Sequence, residues 1–219
     1  MRITKYIHSC VLLEKNGDRL LFDPGHFTFV EGLVSPERFR DVDTIVITHD
    51  HPDHLDPDAL RRILELSGAR VVTNGEVAAD LAKQGIDATT VEDGELTAGA
   101  FTLRAVPARH EAILSATLPR SAAFLVDGRV LNTSDSFDVS LWPLAGTEIL
   151  IVPVMAPFLT ERTAATFIRS MRPRHVIPVH DGYARDFFRP QRYAAFESFL
   201  TDADITFHRL MDPGDSVEL

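Results

Sequence analysis

Short apolar runs separated by turn-forming residues recur along the chain, and this pattern predicts many short strands. Residues 3–7, 11–14 and 19–22 are strand candidates, and Asn16-Gly17 is a strong hairpin signal between the last two. Residues 44–47 form a compact β-branched run of the kind that is buried on both faces of a sheet. Further strands are predicted at 71–73, 89–91, 95–98, 101–106, 123–126, 129–132, 149–152, 175–179, 205–210 and 216–218.

Four segments carry the apolar spacing and the terminal residues of helices. Asp56 before Pro57 is typical of a helix start, an apolar stripe follows, and Gly68 ends that helix. The other predicted helices span residues 76–84, 161–172 and 191–200. About a dozen strands, mostly in hairpins, do not suit a simple βαβ repeat. The pattern therefore predicts an α+β fold in which two packed sheets carry helices on their outer faces.

The composition is that of an ordinary soluble globular protein, with 45% hydrophobic and 25% charged residues among 219. With no linker-like run, residues 1–219 are predicted to form a single domain. The net charge of −10 argues against nucleic-acid and anionic-membrane partners, and no apolar run approaches the ~20 residues that cross a bilayer. The single cysteine and the absence of a signal-peptide pattern favour a cytoplasmic location; the oligomeric state stays open.

Four side chains of metal-ligand type lie within six residues, directly after the strand predicted at 44–47: His49, His51, Asp53 and His54. Imidazole nitrogen and carboxylate oxygen suit zinc, iron and manganese. In an extended stretch the first three share one face, and the turn before the next helix brings His54 round. Pro52 stiffens the loop, which lowers the entropy lost when the ligands are held.

Three more residues of ligand type each follow a different predicted strand: His110, Asp135 and His180. Site residues of sheet proteins commonly lie just beyond strand ends. Four ligands so close in sequence cannot enclose two metal ions alone. We therefore expect these three residues to complete the site.

The motif at residues 48–54, THDHPDH, matches the H-x-H-x-D-H signature of the metallo-β-lactamase superfamily. His110, Asp135 and His180 fall in the order of that superfamily's later motifs, although Ser134 stands where a glycine is usual. Residues 7–10 (IHSC), 20–24 (LLFDP) and 173–180 (PRHVIPVH) resemble the L-ascorbate-6-phosphate lactonase-like branch of metal-dependent hydrolases. The resemblance spans nearly the whole chain. It implies a four-layer αββα sandwich of two mixed β-sheets flanked by helices.

The resemblance also implies two metal sites. His49, His51 and His110 hold one ion, Asp53, His54 and His180 hold the other, and Asp135 bridges them. Two divalent cations are expected, zinc first, with manganese or iron as alternatives. Ions ~3.5–4 Å apart share a water and lower its pKa toward neutrality. A bridging hydroxide is then expected to cleave a lactone, ester or phosphodiester in a small molecule, with Asp53 or Asp135 as the catalytic proton carrier.

Some residues near these ligands are expected to orient them or to contact the substrate. Asp23 is expected to accept the free ring N–H of a bound histidine, and His8 to orient a ligand or contact substrate. Three residues border ligand positions, where they are either surface residues or contacts for an anionic substrate: Arg109, Tyr183 and Arg185. Three aromatic residues either wall the cleft or pack in the core, and core packing is the simpler account: Trp142, Phe187 and Phe188.

Other activities of related proteins are weighed by their residue requirements. True β-lactamases carry a cysteine in the place of Asp135, and Cys10 is remote in sequence, so β-lactam hydrolysis is not favoured. An iron-dependent redox enzyme resembling the thiol dioxygenases is the main alternative. The diiron oxygen and nitric-oxide reductases carry a glutamate in place of His51 and need a flavin module for which 219 residues leave no room. A non-catalytic metal-binding protein is the third alternative, but all seven ligands are present.

Overall fold

The computed structural model describes all 219 residues, whose backbone forms fourteen strands in two seven-stranded sheets. The strands are β1 (Arg2–Lys5), β2 (Val11–Lys15), β3 (Asp18–Phe22), β4 (Thr44–Ile47), β5 (Arg70–Thr73), β6 (Ala88–Thr90), β7 (Gly94–Ala98), β8 (Phe101–Pro107), β9 (Ala122–Val126), β10 (Val130–Asn132), β11 (Ile149–Pro153), β12 (His175–Val179), β13 (Thr206–Phe207) and β14 (Ser216–Glu218). The helices are α1 (His26–Phe29), α2 (Pro57–Ser67), α3 (Gly75–Ala82), α4 (Glu161–Met171) and α5 (Arg189–Leu200). Short 3₁₀ turns cover Pro36–Phe39, Val139–Leu144 and Thr201–Ala203.

Alternation of side chains along the strands produces the layers. In β4, Val46 faces the other sheet, whereas Ile45 and Ile47 face helices α2 and α3. The layer between the sheets contains Phe22 from the first and Phe124 from the second. A third apolar layer lies between the second sheet and helices α4 and α5. The predicted αββα sandwich is confirmed.

The hydrophobic pattern located all fourteen strands, three of them to the residue: Thr44–Ile47, His175–Val179 and Ser216–Glu218. The strand predicted at 205–210 was too long, because only Thr206–Phe207 pairs with β12. Helix α1 and the 3₁₀ turns were not predicted, since elements of three to six residues are too short for a periodic signal. No helix in the structure combines the length and the apolar character that crossing a bilayer requires.

Strand direction determines where the site forms. In the first sheet β1 and β3 are both antiparallel to β2, and β4 is parallel to β3, so all three run the same way. In the second sheet β8, β10 and β12 share one direction by the same reasoning. The predicted site residues all follow these six strands, and the carboxyl ends of the strands therefore bring them to one edge of the sandwich.

Candidate metal centre

The loop after β4 is held by the segment that follows β3. The His26 N–H donates to the Pro52 carbonyl oxygen at 2.7 Å. A Cβ atom on Gly25 would lie 1.9 Å from the Asp53 carbonyl oxygen, so only glycine permits this approach. Residues 25 and 26 of the same chain therefore hold the backbone of the motif in place.

Four of the predicted ligands form a first group: His49, His51, His110 and Asp135. His49 Nε2 lies 3.1 Å from His51 Nδ1. Asp135 Oδ2 lies 3.5 Å from His110 Nε2 and 3.9 Å from His49 Nε2. Ligand atoms in a tetrahedron at ~2.1 Å from one ion are separated by about 3.4 Å, so these distances suit a shared cation.

A second group joins Asp53, His54 and His180 with His8, and Asp135 lies between the two groups. His180 Nε2 lies 3.4 Å from Asp53 Oδ2 and 2.9 Å from Asp135 Oδ2. His54 Nε2 lies 3.4 Å from the other oxygen, Asp135 Oδ1. Asp135 thus faces both groups, the position that the resemblance implied for a bridging ligand.

Several buried polar atoms at the centre of these groups have no hydrogen-bond partner: His54 Nε2, His110 Nε2, His180 Nε2 and Asp135 Oδ1. Buried polar atoms are rarely left unpaired in native proteins, because the unmade bond costs about 1–3 kcal/mol each. Here the three unpaired ring nitrogens lie within 3.5 Å of Asp135 carboxylate oxygens, and all the unpaired atoms are of ligand type. The residues therefore fit two divalent cations.

Asp23 fixes the ring orientation of two ligands. Its carboxylate accepts from the Thr48 N–H and hydroxyl, each at 2.8 Å, and lies 2.9 Å from His54 Nδ1. His54 therefore carries its proton on Nδ1 and leaves Nε2 free. The Thr48 hydroxyl hydrogen is already used, so Thr48 Oγ1 accepts from His49 Nδ1 at 3.1 Å, which leaves His49 Nε2 free as well. The role predicted for Asp23 matches this geometry.

Main-chain carbonyls orient the two ligands of the second sheet. His110 Nδ1 donates to the Glu111 carbonyl oxygen at 2.7 Å, and His180 Nδ1 donates to the Met155 carbonyl oxygen at 2.8 Å. In both rings the free nitrogen is Nε2, which points at Asp135. Such outer hydrogen bonds hold the tautomer that metal binding needs.

Ser134 occupies the position where a glycine is usual in the superfamily, and its φ of 52° explains that preference. The strain is offset locally, because its N–H donates to Asn132 Oδ1 at 3.0 Å. Its hydroxyl lies 3.1 Å from Ser121 Oγ and 3.3 Å from His49 Nδ1. The serine therefore replaces glycine at a backbone cost but adds a contact to a ligand.

Without a metal, the electrostatics of the centre leave His49 neutral and Asp135 charged, as metal binding requires, but favour a protonated His54, whose Nε2 proton a metal ion would displace. Burial and the nearby His54 lower the pKa of His49 well below its ordinary value, which leaves the ring neutral. Burial would raise the pKa of Asp135, but His180 and His54 bring it well below the ordinary value, so it is a carboxylate. Burial would lower the pKa of His54, yet Asp135 and Asp23 raise it well above its ordinary value. The same attraction favours a cation beside this ring.

His8 connects the second group to the loop after β12. The Gly182 N–H donates to His8 Nδ1 at 3.1 Å, so a neutral His8 carries its proton on Nε2 and donates to Asp53 Oδ2 at 3.0 Å. Burial, with a smaller effect of His180, lowers the pKa of His8 to about 4, which keeps the ring neutral at pH 7. Both nitrogens are engaged. His8 therefore orients Asp53 instead of adding a ligand atom.

The ligands open onto a cavity of about 670 Å³, whose remaining walls are Ala112, Ile113, Leu114, Pro157, Phe158 and Tyr183. Tyr183 was expected at the surface or against substrate; it is half-exposed, and its hydroxyl donates to Asp53 Oδ2 at 3.1 Å. The other wall residues were missed, because apolar residues in loops carry no sequence signal that separates a cleft from the core. Arg109 and Arg185 do not line this cavity.

The expectation that Trp142, Phe187 and Phe188 pack in the core is wrong. All three side chains are exposed, at 59%, 74% and 40%. Trp142 lies in a 3₁₀ turn, and the two phenylalanines lie in the loop before α5, so none occupies a buried face of a helix or strand. Cys10 is buried among apolar side chains, where desolvation raises the pKa of its thiol, and it belongs to neither ligand group.

Sequence relatives of this chain include proteins named metal-dependent hydrolases. Residues 2–180 match the family described as a beta-lactamase superfamily domain. Protein Rv0786c of Mycobacterium tuberculosis is 32% identical over 188 residues, which cover 82% of this chain and 84% of that protein. The UPF0173 metal-dependent hydrolase of Opitutus terrae is 30% identical, and the match covers 100% of both chains.

Solved structures share the fold at lower identity. Igni18, a metallo hydrolase from Ignicoccus hospitalis, has a TM-score of 0.75 at 22% identity over 99% of this chain and 97% of that chain. An isothiocyanate hydrolase from Delia radicum gut bacteria has a TM-score of 0.74 at 15% identity over 100% and 99%. At these identities they show the fold alone. The relatives do not single out the L-ascorbate-6-phosphate lactonase-like branch, and that finer assignment stays a prediction. The family match and the full-length relatives show that the chain belongs to the metallo-β-lactamase superfamily and, within it, to the UPF0173 family of metal-dependent hydrolases.

Proposed function

We propose that the chain is a dinuclear metal-dependent hydrolase that cleaves a lactone, an ester or a phosphodiester in a small molecule. One observation carries the proposal: seven ligand side chains from both sheets meet around ring nitrogens and a carboxylate oxygen that have no other partner. Zinc is the first candidate for both ions. Manganese and iron suit the same nitrogen and oxygen donors.

The chemistry that two such ions supply is the acidification of water and the polarisation of a carbonyl or phosphoryl oxygen. The first ion would be held by His49, His51 and His110 and the second by Asp53, His54 and His180. Asp135 would be shared. The short distances from Asp135 to His54, His110 and His180 support this division of the ligands.

The chain's own residues supply proton handling at the cavity wall. Burial would raise the pKa of Asp53, but the hydrogen bond from His8 and the nearby His54 bring it below its ordinary value, so Asp53 is a carboxylate. Asp53 lines the cavity and is placed to accept a proton and pass it to a leaving group. Burial and the charge of Asp53 raise the pKa of Tyr183, so its hydroxyl stays protonated and can donate to a substrate oxygen.

A metal and substrate survey tests this function. Mass spectrometry of the purified protein should find two divalent cations per chain. Chromogenic lactone, ester, thioester and phosphodiester substrates should then be hydrolysed in a chelator-sensitive manner. Iron with oxygen uptake and no hydrolysis would support the redox alternative instead, and a protein that binds no metal would refute both.

Replacement of Asp53 sharpens the test. Asp53→Ala should abolish hydrolysis while circular dichroism shows an intact fold, because the carboxylate is both a ligand and the proposed proton carrier. The matched control is Asp50→Ala in the same loop, which changes a carboxylate outside both ligand groups and should retain activity. Full activity of Asp53→Ala would contradict the assignment.

A further inference from the structure

The walls of the cavity around the ligands are apolar. Apart from the ligands themselves, the lining side chains include neither lysine nor arginine. Phe158 lies edge-on to two ligands, with its ring centre 5.6 Å from that of His110 and 5.4 Å from that of His180. Leu114 on the same wall is fully exposed. A substrate group next to the metal ligands therefore meets hydrocarbon and an aromatic ring.

A second cavity, of about 480 Å³, shares Pro157 and Tyr183 with the first. Its other apolar walls are Met155, Ala156, Ala184, Phe187 and Phe188. Exposed apolar side chains grouped around one cleft, rather than scattered singly, indicate a binding surface. The two cavities meet at shared residues, so one elongated ligand can occupy both, and their volumes fall in the range of sites for small molecules.

Two arginines line the second cavity, and one of them is already paired with a carboxylate. Arg192 pairs with Glu161 and lies over the Phe188 ring, with its guanidinium carbon 5.5 Å from the ring centre. Arg185 is exposed and lines only the second cavity. Desolvation of an unpaired anion in the apolar part of the cleft would be costly. The part of the substrate that does not react is therefore best uncharged.

We propose, on the basis of the hydrolase function above, that the substrate is an uncharged ester or lactone with an aliphatic or aromatic tail. The carbonyl group lies at the metal ligands, and the tail passes Pro157 and Tyr183 into the second cavity. Hydrolysis adds one water: the water oxygen forms a bond to the acyl carbon, the bond from that carbon to the ester oxygen breaks, and a water proton passes to the departing oxygen. The products are an acid and an alcohol, or one hydroxy acid from a lactone.

A chain-length series tests the proposal. With the zinc-loaded protein, kcat/KM for 4-nitrophenyl esters should rise about 2–4-fold per methylene from acetate to octanoate, because each added methylene is buried. Phe187→Ala should lower the octanoate-to-acetate ratio of kcat/KM by about tenfold. The matched control is Phe199→Ala, an exposed phenylalanine on α5 that lines neither cavity and should leave the ratio unchanged.

Two results would overturn the proposal. A flat dependence on chain length would exclude an apolar tail site. Faster cleavage of a suberate half-ester, which ends in a carboxylate, than of the octanoate ester would show that the tail is anionic and would point to Arg185.

A binding measurement separates this proposal from the hydrolase function on which it rests. Calorimetry of the zinc-loaded protein should show octanohydroxamate binding at least tenfold more tightly than acetohydroxamate, and Phe187→Ala should reduce that difference. Chain-length-dependent binding without hydrolysis of any ester or lactone would keep the apolar site and overturn the proposed reaction. Hydrolysis in which neither the rate nor the affinity rises with chain length would keep the proposed reaction and overturn the apolar site.

Discussion

Two buried polar clusters lie side by side in this fold. The neighbouring residues His180 and Asp181 belong to different clusters. His180 belongs to the metal centre, where its Nε2 atom has no hydrogen-bond partner. Asp181 belongs to a cluster with Lys5 and Tyr193, in which Lys5 Nζ donates to Asp181 Oδ2 at 2.8 Å and the Tyr193 hydroxyl donates to the same oxygen at 2.6 Å. Lys5 Nζ also donates to the Leu210 carbonyl oxygen at 3.3 Å.

The contrast separates a binding site from a structural anchor. Both clusters are mostly buried, but Lys5, Asp181 and Tyr193 leave no side-chain donor or acceptor unpaired, whereas the metal centre leaves three ring nitrogens and a carboxylate oxygen unpaired. Burial would raise the pKa of Asp181, but Lys5 brings it below the ordinary value, so this ion pair is intact at neutral pH. Its stabilising effect is fully present above the ordinary aspartate pKa of ~3.9 and declines as the pH falls through the lower folded-state value. Burial of polar groups by itself therefore does not indicate a functional site, whereas buried ligand atoms without hydrogen-bond partners do.

The largest expected effect comes from changing the shared carboxylate of the metal centre. Asp135→Asn should lower kcat/KM by about 10³-fold or more, because both ions would lose a charged ligand. Metal content by mass spectrometry should fall with it. Urea unfolding of the metal-free protein should change less than when the Lys5–Asp181 pair is broken, since Asp135 Oδ1 has no hydrogen-bond partner in that state. If the metal-free protein lost much of its stability, Asp135 would have a structural role like that of Lys5 and Asp181. The contrast between the two clusters would then be wrong.

Changes in the cluster of Lys5, Asp181 and Tyr193 should affect stability instead of metal content. Lys5→Met should lower the free energy of unfolding by up to about 3–5 kcal/mol, because the buried Asp181 loses its closest cation and keeps only Arg189, whose Nη1 lies 3.9 Å from Asp181 Oδ2. The matched control is Arg61→Met, which breaks an exposed ion pair with Asp58 and should cost less than about 1 kcal/mol. Urea unfolding of the metal-free variants measures both. Equal effects for the two variants would contradict a stabilising role of the buried pair.

His8 should give the smallest effect, because it acts on the centre through Asp53. His8→Phe should weaken metal binding or activity by about 10–100-fold, the usual consequence of losing a hydrogen bond to a ligand. His8→Gln keeps a side-chain N–H donor and should recover part of that loss, although both variants retain the φ of 64° at this position. Metal titration gives the affinities. Unchanged metal affinity of His8→Phe, which keeps a ring but no donor, would show that ring packing against His180, not the hydrogen bond, is what matters.

Much of the fold and most of the centre could be predicted from local patterns. The strands carried their own apolar periodicity, and the seven ligands were chemically distinctive residues that followed strand ends. The anchor and the cleft could not be found in this way. Lys5 and Asp181 are 176 residues apart, and Tyr183 and Asp53 are 130 apart, so only the packed sheets bring each pair together. A buried lysine on a strand and an apolar loop residue at a cleft have no local signature.

The division of the ligands between the sheets has a consequence for the order of events in folding. The first sheet delivers His49, His51, Asp53 and His54, and the second delivers His110, Asp135 and His180. A chain in which only one sheet has formed offers an incomplete set of donors. High-affinity metal uptake can therefore follow, but not precede, the docking of the two sheets. A bound ion would then connect the two sheets. It would lower the rate of unfolding far more than it would raise the rate of folding.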